Sequence, residues 1–219
     1  MSTLLKIALI IGGLVVALAV YVVVSVIRLE KPGYQVVYES DNIEYRQYEP
    51  YLVSETLIEE TDNYKVAGNE GFRRLFRYIS GANSADNKIA MTVPVAQTES
   101  SQKIAMTAPV QETKSAAGWT VAFMLPGEYT LETAPQPTDE RVKIRAVPGR
   151  LTAVLRYSGR WSESNYNAKS ATLLAALEQA AVTPIGELQS AQYAPPATPG
   201  FLRRNEVLVE IDRLPAEAE

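Results

Sequence analysis

Hydrophobic and polar positions divide the chain into two regimes. Residues 4–27 read LLKIALIIGGLVVALAVYVVVSVI, apolar apart from Lys6, Gly12, Gly13 and Ser25. As a helix this run would be about 36 Å long, enough to cross a hydrocarbon core of roughly 30 Å. Beyond Pro32-Gly33 the pattern changes to short alternating runs broken by turn residues, with two stretches of helical periodicity. The boundary predicts an N-terminal membrane anchor and linker over residues 1–33 and one globular domain over residues 34–219.

Alternation predicts strands over residues 34–39, 43–48 and 51–60, the first two joined through Ser40-Asp41-Asn42 as a hairpin. Asp62 or Asn63 can cap a helix ending near Ile79, with Phe72, Leu75, Phe76 and Ile79 on one apolar face and Arg73, Arg74 and Arg77 on its flanks. A near-repeat follows, KIAMTVPV (88–95) and KIAMTAPV (103–110), which reads as two β segments around a polar turn. Further strands are predicted at 118–125, 141–147, 151–157, 187–193 and 206–211. A second helix, capped by Ser162 or Ser164 and running to about Ala181, turns Tyr166, Ser170, Leu173, Leu174, Leu177 and Ala181 inward. Strands, helix and strands occur twice, which predicts an α+β domain on an antiparallel sheet with internal two-fold pseudosymmetry.

The apolar N-terminal run has a rival reading as a signal peptide cleaved at Ala17-Leu18-Ala19. Cleavage there would leave an exposed VYVVVSVI tail, so an uncleaved anchor is the better expectation. Two positive groups on each side of the run balance one another: the α-amino group and Lys6 before it, Arg28 and Lys31 after it. The short N-terminal tail tilts the expected placement of the domain toward the outer, periplasmic face. Without cysteine there is no lipoprotein acylation site, disulfide or thiol nucleophile.

Removing Lys6, Arg28 and Lys31 from 21 basic residues, and Glu30 from 25 acidic ones, leaves 18 against 24, a domain charge near −6. That balance disfavours nucleic acid as a partner. The chain has no histidine, so Ser-His-Asp and Cys-His arrangements and His- or Cys-based zinc sites are excluded. Glu59-Glu60 and Asp139-Glu140 read as solvated turn charges. No catalytic constellation remains, and the chain reads as a binder.

Four stretches carry a wider pattern: RLFRYISGANSADNKIAMTVPV (74–95), KIAMTAPV (103–110), VAFMLPGEYTLETAPQPTDERVKI (121–144) and YAPPATPGFLRRNEVLVEI (193–211). In this order they resemble the SOUL haem-binding family over nearly all of residues 34–213. The resemblance implies a distorted antiparallel β-barrel of two similar halves with two flanking helices, related to bacterial effector-binding domains. It implies non-catalytic binding of haem or another porphyrin in an open apolar groove beside the first helix and the loop before the last strand. Carried onto this chain, the groove positions are Phe72, Arg73, Phe76 and Arg77 on the helix and Tyr193, Pro195, Pro196 and Phe201 in the loop. Aromatic and aliphatic groups would cover the macrocycle, and guanidinium groups would pair with propionates. Arg203 and Arg204 are the alternative cations; Phe72 and Phe76 read somewhat better as core, and Arg73 and Arg77 read equally as a solvated helix flank.

The chain departs from family members described with an axial histidine. Iron could be ligated only by Met, Tyr, Lys or water. Met91 and Met106 belong to the near-repeat, where strand alternation would bury them. The expected cofactor is therefore haem or another porphyrin without His ligation, held for carriage or buffering at a membrane. The partners are a tetrapyrrole and, through residues 4–27, the lipid bilayer. The alternative is an effector-binding or interaction domain of the same fold that takes a small apolar ligand and no haem.

Overall fold

The computed structural model describes Gly13 and residues 29–59, 61–84, 101–195 and 198–216. The predicted anchor, but for Gly13, and the first copy of the near-repeat lie outside them, as do Met91 and Pro196. Among the described residues no helix is long and apolar enough to cross a membrane. In chain order the elements are β1 (Tyr34–Ser40), β2 (Ile43–Tyr48), β3 (Tyr51–Ile58), α1 (Tyr64–Ile79), β4 (Asn83–Ser84), β5 (Val110–Ser115) and β6 (Gly118–Met124). They continue with β7 (Gln136–Pro137), β8 (Val142–Val147), β9 (Arg150–Tyr157), α2 (Glu163–Gln179), β10 (Gln189–Gln192), a 3₁₀ turn (Gly200–Leu202) and β11 (Asn205–Glu210).

Local chemistry sets the element ends. Asp41 and Asn42 adopt φ of 49° and 66°, the left-handed pair that a two-residue hairpin between Ser40 and Ile43 requires. Asn63 caps α1 by accepting hydrogen bonds from the backbone N–H groups of Lys65 and Val66, each at 3.1 Å. Ser162 caps α2 through the N–H of Asn165.

Nine strands form one antiparallel sheet in the order β1-β2-β9-β11-β10-β5-β6-β3-β8. The centre lies between β10 and β5, and the order is symmetric about it: β11 answers β6, β9 answers β3, and β2 answers β8. Each half lends its leading strand to the other, since β2 pairs with β9 and β8 pairs with β3. The predicted pseudosymmetry is thus present as strand exchange. The expected barrel is instead an open, curled half-barrel, because β1 and β8 end the sheet without pairing to one another. The corners β2–β3 and β8–β9 run side by side, with Tyr48 opposite Arg150 and Tyr51 opposite Val147.

Helix α1 packs on β6 and β3, and α2 on β11 and β9. Gly71 allows the first contact, because a Cβ there would stand 2.3 Å from Val121 Cγ2. The buried face of α1 is Tyr64, Ala67, Gly71, Arg74, Leu75, Tyr78 and Ile79, so the apolar stripe is rotated from the expected one: Phe76 is exposed and Arg74 is buried. Arg74 is accommodated by Glu70, at 2.8 Å, and by the Leu57 carbonyl. On α2, Tyr166, Ser170, Leu173 and Leu177 are buried as expected, while Leu174 is outward. Tyr64 joins the two helices, stacking on Tyr166 and meeting the edge of Trp119.

The second near-repeat copy is not a strand until Val110. Residues 103–109 run as irregular extended chain, tied to α1 through Ile104 N–H and the Ile79 carbonyl. Period-two burial therefore fails there: Ile104, Thr107 and Ala108 are buried, and Met106 is 38 % exposed. Strand β5, which follows, carries no clear alternation and was not expected.

Candidate functional site

A cavity of about 680 Å³ opens over the centre of the sheet, where the two halves meet. Its floor comes from β5 and β10 through Val110, Glu112 and Gln192. One wall is the face of α1 that carries Tyr64, Lys65, Gly68, Asn69 and Phe72. The opposite wall is Trp161 with the chain from Tyr193 to Pro195 and from Thr198 to Gly200. Neither helix stripe covers this seam, so the pseudo-two-fold junction is left open.

Of the residues expected at a groove, the structure brings Phe72, Tyr193 and Pro195 onto the cavity wall. Pro196 lies outside the described residues. Phe76 shares the cavity-facing side of α1 but lies one turn beyond the lining and is stacked on Phe72 with ring centres 5.9 Å apart. Arg73 and Arg77 point about 100° or more around the helix from Phe72. Arg73 pairs with Glu70, and Arg77 borders a separate recess with Arg74 and Arg141. Phe201 stands 78 % exposed on the 3₁₀ turn, off the lining. The cations on the cavity lining are Lys65, Arg160 and Arg203.

Sequence reasoning did not single out Lys65, Trp161, Arg160 or Glu112. It named Arg203 only as an alternative and placed Met106 in the core, whereas Met106 lines the cavity. Leu29 also reaches the lining, because Glu30 fastens the incoming chain: its carbonyl accepts from Ala108 N–H at 2.9 Å and its Oε1 from Gly127 N–H at 2.7 Å.

The rim is pre-set by short-range bonds. Trp161 Nε1 donates to Asn205 Oδ1 at 2.8 Å, and the Arg203 guanidinium lies over the Trp161 ring at 4.3 Å. Tyr193 is held from behind by a buried charge network. Its hydroxyl donates to Glu206 Oε2 at 2.8 Å, and Arg204 covers its ring. Arg46 makes a forked contact to both Glu206 oxygens at 3.0 Å. Burial raises the Glu206 pKa, but Arg46 and Arg204 outweigh that and hold it below the usual carboxylate range.

Among the described residues no cation pairs with Glu112. Burial pushes its carboxyl up to about 7, against the lowering effect of hydrogen bonds with Tyr64 and Gln192. Gln192 Nε2 bridges Tyr64 Oη at 2.9 Å and Glu112 Oε1 at 3.2 Å, and Tyr64 Oη lies 3.3 Å from Ser190 Oγ.

An open half-barrel with one aromatic cavity and cations on its lining defines a small-molecule-binding module. Comparison with known proteins agrees with that class. Residues 29–210 match the family described as SOUL heme-binding protein. The pig (Sus scrofa) protein named Heme-binding protein 1 is 28% identical over 151 residues, 68% of this chain and 75% of that protein. Its mouse (Mus musculus) namesake is 29% identical over 152 residues, with the same shares covered. The crystal structure of the EcmrR C-terminal domain aligns with 83% of this chain and 99% of that one, at a TM-score of 0.51 and 9% identity, a likeness of fold alone. The chain belongs to the SOUL haem-binding family.

Proposed function

We propose that the cavity binds haem or a related tetrapyrrole without catalysis, for carriage or buffering at a membrane. The observation that carries this reading is the cavity itself: about 680 Å³, walled by Phe72, Trp161, Tyr193 and Pro195, with Lys65, Arg160 and Arg203 on its lining, in a chain of this family. The aromatic and proline groups would cover the apolar faces of a macrocycle. The three cations would take its carboxylates, and the guanidinium groups can do so through paired hydrogen bonds. The residues present fit a porphyrin better than they fit iron ligation, since the chain has no His or Cys and, among the described residues, Met106 is the one thioether on the lining. Bound haem would supply redox-capable iron, while the protein supplies burial and charge pairing, an arrangement suited to reversible holding.

The membrane part of the proposal rests on the apolar run of residues 4–27 and on the docking of Leu29 and Glu30. Leu29 and Glu30 are docked beside the cavity, so an anchor ending at Ile27 would bring the cavity close to the bilayer surface. Placement on the outer face remains part of the same proposal.

Titration of the full chain in detergent with haem, followed by absorbance and corrected for empty micelles, tests the reading. Saturable one-to-one binding is expected. Arg160→Ala with Arg203→Ala should weaken it tenfold or more, because one charge-assisted hydrogen bond contributes about 1.5–3 kcal/mol. Arg73→Ala with Arg77→Ala should leave it within about twofold. Absence of saturable binding of haem and of metal-free protoporphyrin would sink the proposal and favour the apolar-effector alternative. Sensitivity to the helix arginines alone would place the carboxylates on the flank of α1.

A further inference from the structure

Phe201 and Leu202 are the most exposed large apolar side chains among the described residues, at 78 % and 61 %. They stand side by side on the 3₁₀ turn, and no hydrophobic cluster of the described residues takes them in. One exposed apolar residue is ordinary, but two neighbours on a projecting turn form a patch that calls for a partner. The turn is held in place rather than loose. Leu202 N–H donates to the Pro199 carbonyl and Gly159 N–H to the Gly200 carbonyl, each at 2.9 Å. Arg203 Nε donates to the Thr198 carbonyl at 2.7 Å while its guanidinium lies over Trp161. A ligand in the cavity does not account for the pair. Gly200 and Arg203 on either side belong to the lining, whereas Phe201 and Leu202 stand off it, beside the mouth.

Two further features say what covers the patch. The first is the position of the chain that enters the domain. Leu29 borders the same cavity and is fastened there through Glu30. The apolar run of residues 4–27 ends two residues earlier, so its end lies within about 7 Å of Leu29 at no more than roughly 3.6 Å per residue. A bilayer that holds that run has its surface beside the cavity mouth, and so beside the turn. The second feature is charge. Arg160 is exposed with its stem against Gly200, Arg203 follows the turn, and the two outnumber Glu163 at the adjacent start of α2. Guanidinium groups and an indole flanking an apolar tip suit a headgroup boundary, with the tip among acyl chains and the cations at phosphates. The domain's net charge near −6 would turn its other faces away from an anionic lipid surface and this one toward it.

We infer that the Phe201-Leu202 turn docks into the surface of the bilayer, so that the cavity opens against the membrane rather than into bulk water. The inference rests on the membrane part of the proposal above and names the surface through which the site meets lipid. By itself a two-residue tip holds a membrane weakly. Joined to an anchor it docks within one molecule, at an effective concentration in the millimolar range, where a weak contact suffices. The anchor and the turn together fix an orientation that one flexible linker would leave free.

The chain has no cysteine, so one introduced thiol can be labelled selectively. Full chains carrying Leu202→Cys or Ile185→Cys are labelled with nitrobenzoxadiazole and reconstituted in vesicles of phosphatidylcholine and phosphatidylglycerol, with or without a nitroxide on the acyl chains. Ile185 is the matched control: apolar, 59 % exposed, and bonded to the Glu210 carbonyl at the end of β11 away from the turn. The label at 202 should lose at least half of its emission to the nitroxide, and the label at 185 little. Adding Phe201→Asp to the Leu202→Cys chain should remove most of that loss. All three positions are exposed, and a circular dichroism spectrum matching the unmodified chain confirms folding. Little quenching at 202 in chains that stay with the vesicles through a carbonate wash overturns the inference and leaves the anchor standing. Equal quenching at 202 and 185, or quenching that Phe201→Asp leaves unchanged, overturns it as well. A blue-shifted but unquenched label at 202 overturns it by placing a second copy of the chain over the turn. Chains that do not stay with the vesicles overturn the membrane reading, and the inference with it.

Discussion

Glu112→Gln should stabilise the protein, and by an amount that grows with pH. In the folded chain burial lifts the Glu112 carboxyl to about 7, against an ordinary value of 4.5. Between those two values the folded state holds a proton that the unfolded state has released, so stability falls as pH rises through the interval. Above about 7 the cost is complete. At 1.36 kcal/mol per pH unit it amounts to about 3 kcal/mol. Glutamine fills the same space, keeps a partner for Gln192 and does not titrate. The two proteins should therefore differ little near pH 4.5 and by up to about 3 kcal/mol at pH 8. For a domain of this size that corresponds to a rise in Tm of roughly 6–12 °C at the higher pH. Thermal unfolding of both full-length proteins without ligand at pH 5 and pH 8 measures it. Glu206, held below the usual carboxylate range, loses its stabilising charge as pH falls, but it does so in both proteins and cancels from the difference. A difference that is equal at the two pH values, or a variant less stable at pH 8, would mean that a cation satisfies Glu112 in the folded state and would refute the reasoning.

Glu206→Gln should cost about 1–3 kcal/mol, because it leaves Arg46, fully buried, with Glu44 as its remaining carboxylate partner; urea unfolding reads this, and no measurable loss would show that the network is hydrated. Gly71→Ala should destabilise by about 1–3 kcal/mol, since its Cβ would meet Val121 at 2.3 Å, and adding Val121→Ala should recover part of the loss. If residues 4–27 form the anchor, the full chain should stay with membranes through a carbonate wash and a chain starting at Leu29 should be released; a full chain found in the wash would remove the membrane part of the proposal.

Much of the fold was legible because it rests on local chemistry. Ser40-Asp41-Asn42 marked the first hairpin, the pairs Asp62/Asn63 and Ser162/Ser164 marked the helix starts, with Asn63 and Ser162 the actual caps, and alternation located most long strands. Strand exchange between the halves was not legible, because it depends on which edges meet at the Pro50 and Pro148-Gly149 corners. The near-repeat misled: identical residues took up irregular chain at 103–109, since tertiary contacts to α1 and Glu30 replaced a ladder there. At the candidate site, aromatic residues could be placed by their helix and loop, but the cations could not. Arg73 and Arg77 form the denser cluster in sequence, yet helix phase turns them from the cavity, while Lys65, Arg160 and Arg203 converge from three separate segments. Glu112 gave no signal, being a lone acid in a polar strand; only its depth and the close approach of Gly68 distinguish it.

The most direct test of tetrapyrrole binding in this cavity is the position of the ligand itself. Crystals of the full chain grown with haem, with diffraction collected at the iron absorption edge, give an anomalous peak that locates the metal independently of any model of the ring. The peak should lie between α1 and the 193–200 segment, above the β5–β10 seam and within the ring of Phe72, Trp161 and Tyr193. A single well-occupied peak elsewhere, such as the recess beside Arg77 and Arg141, would contradict the account.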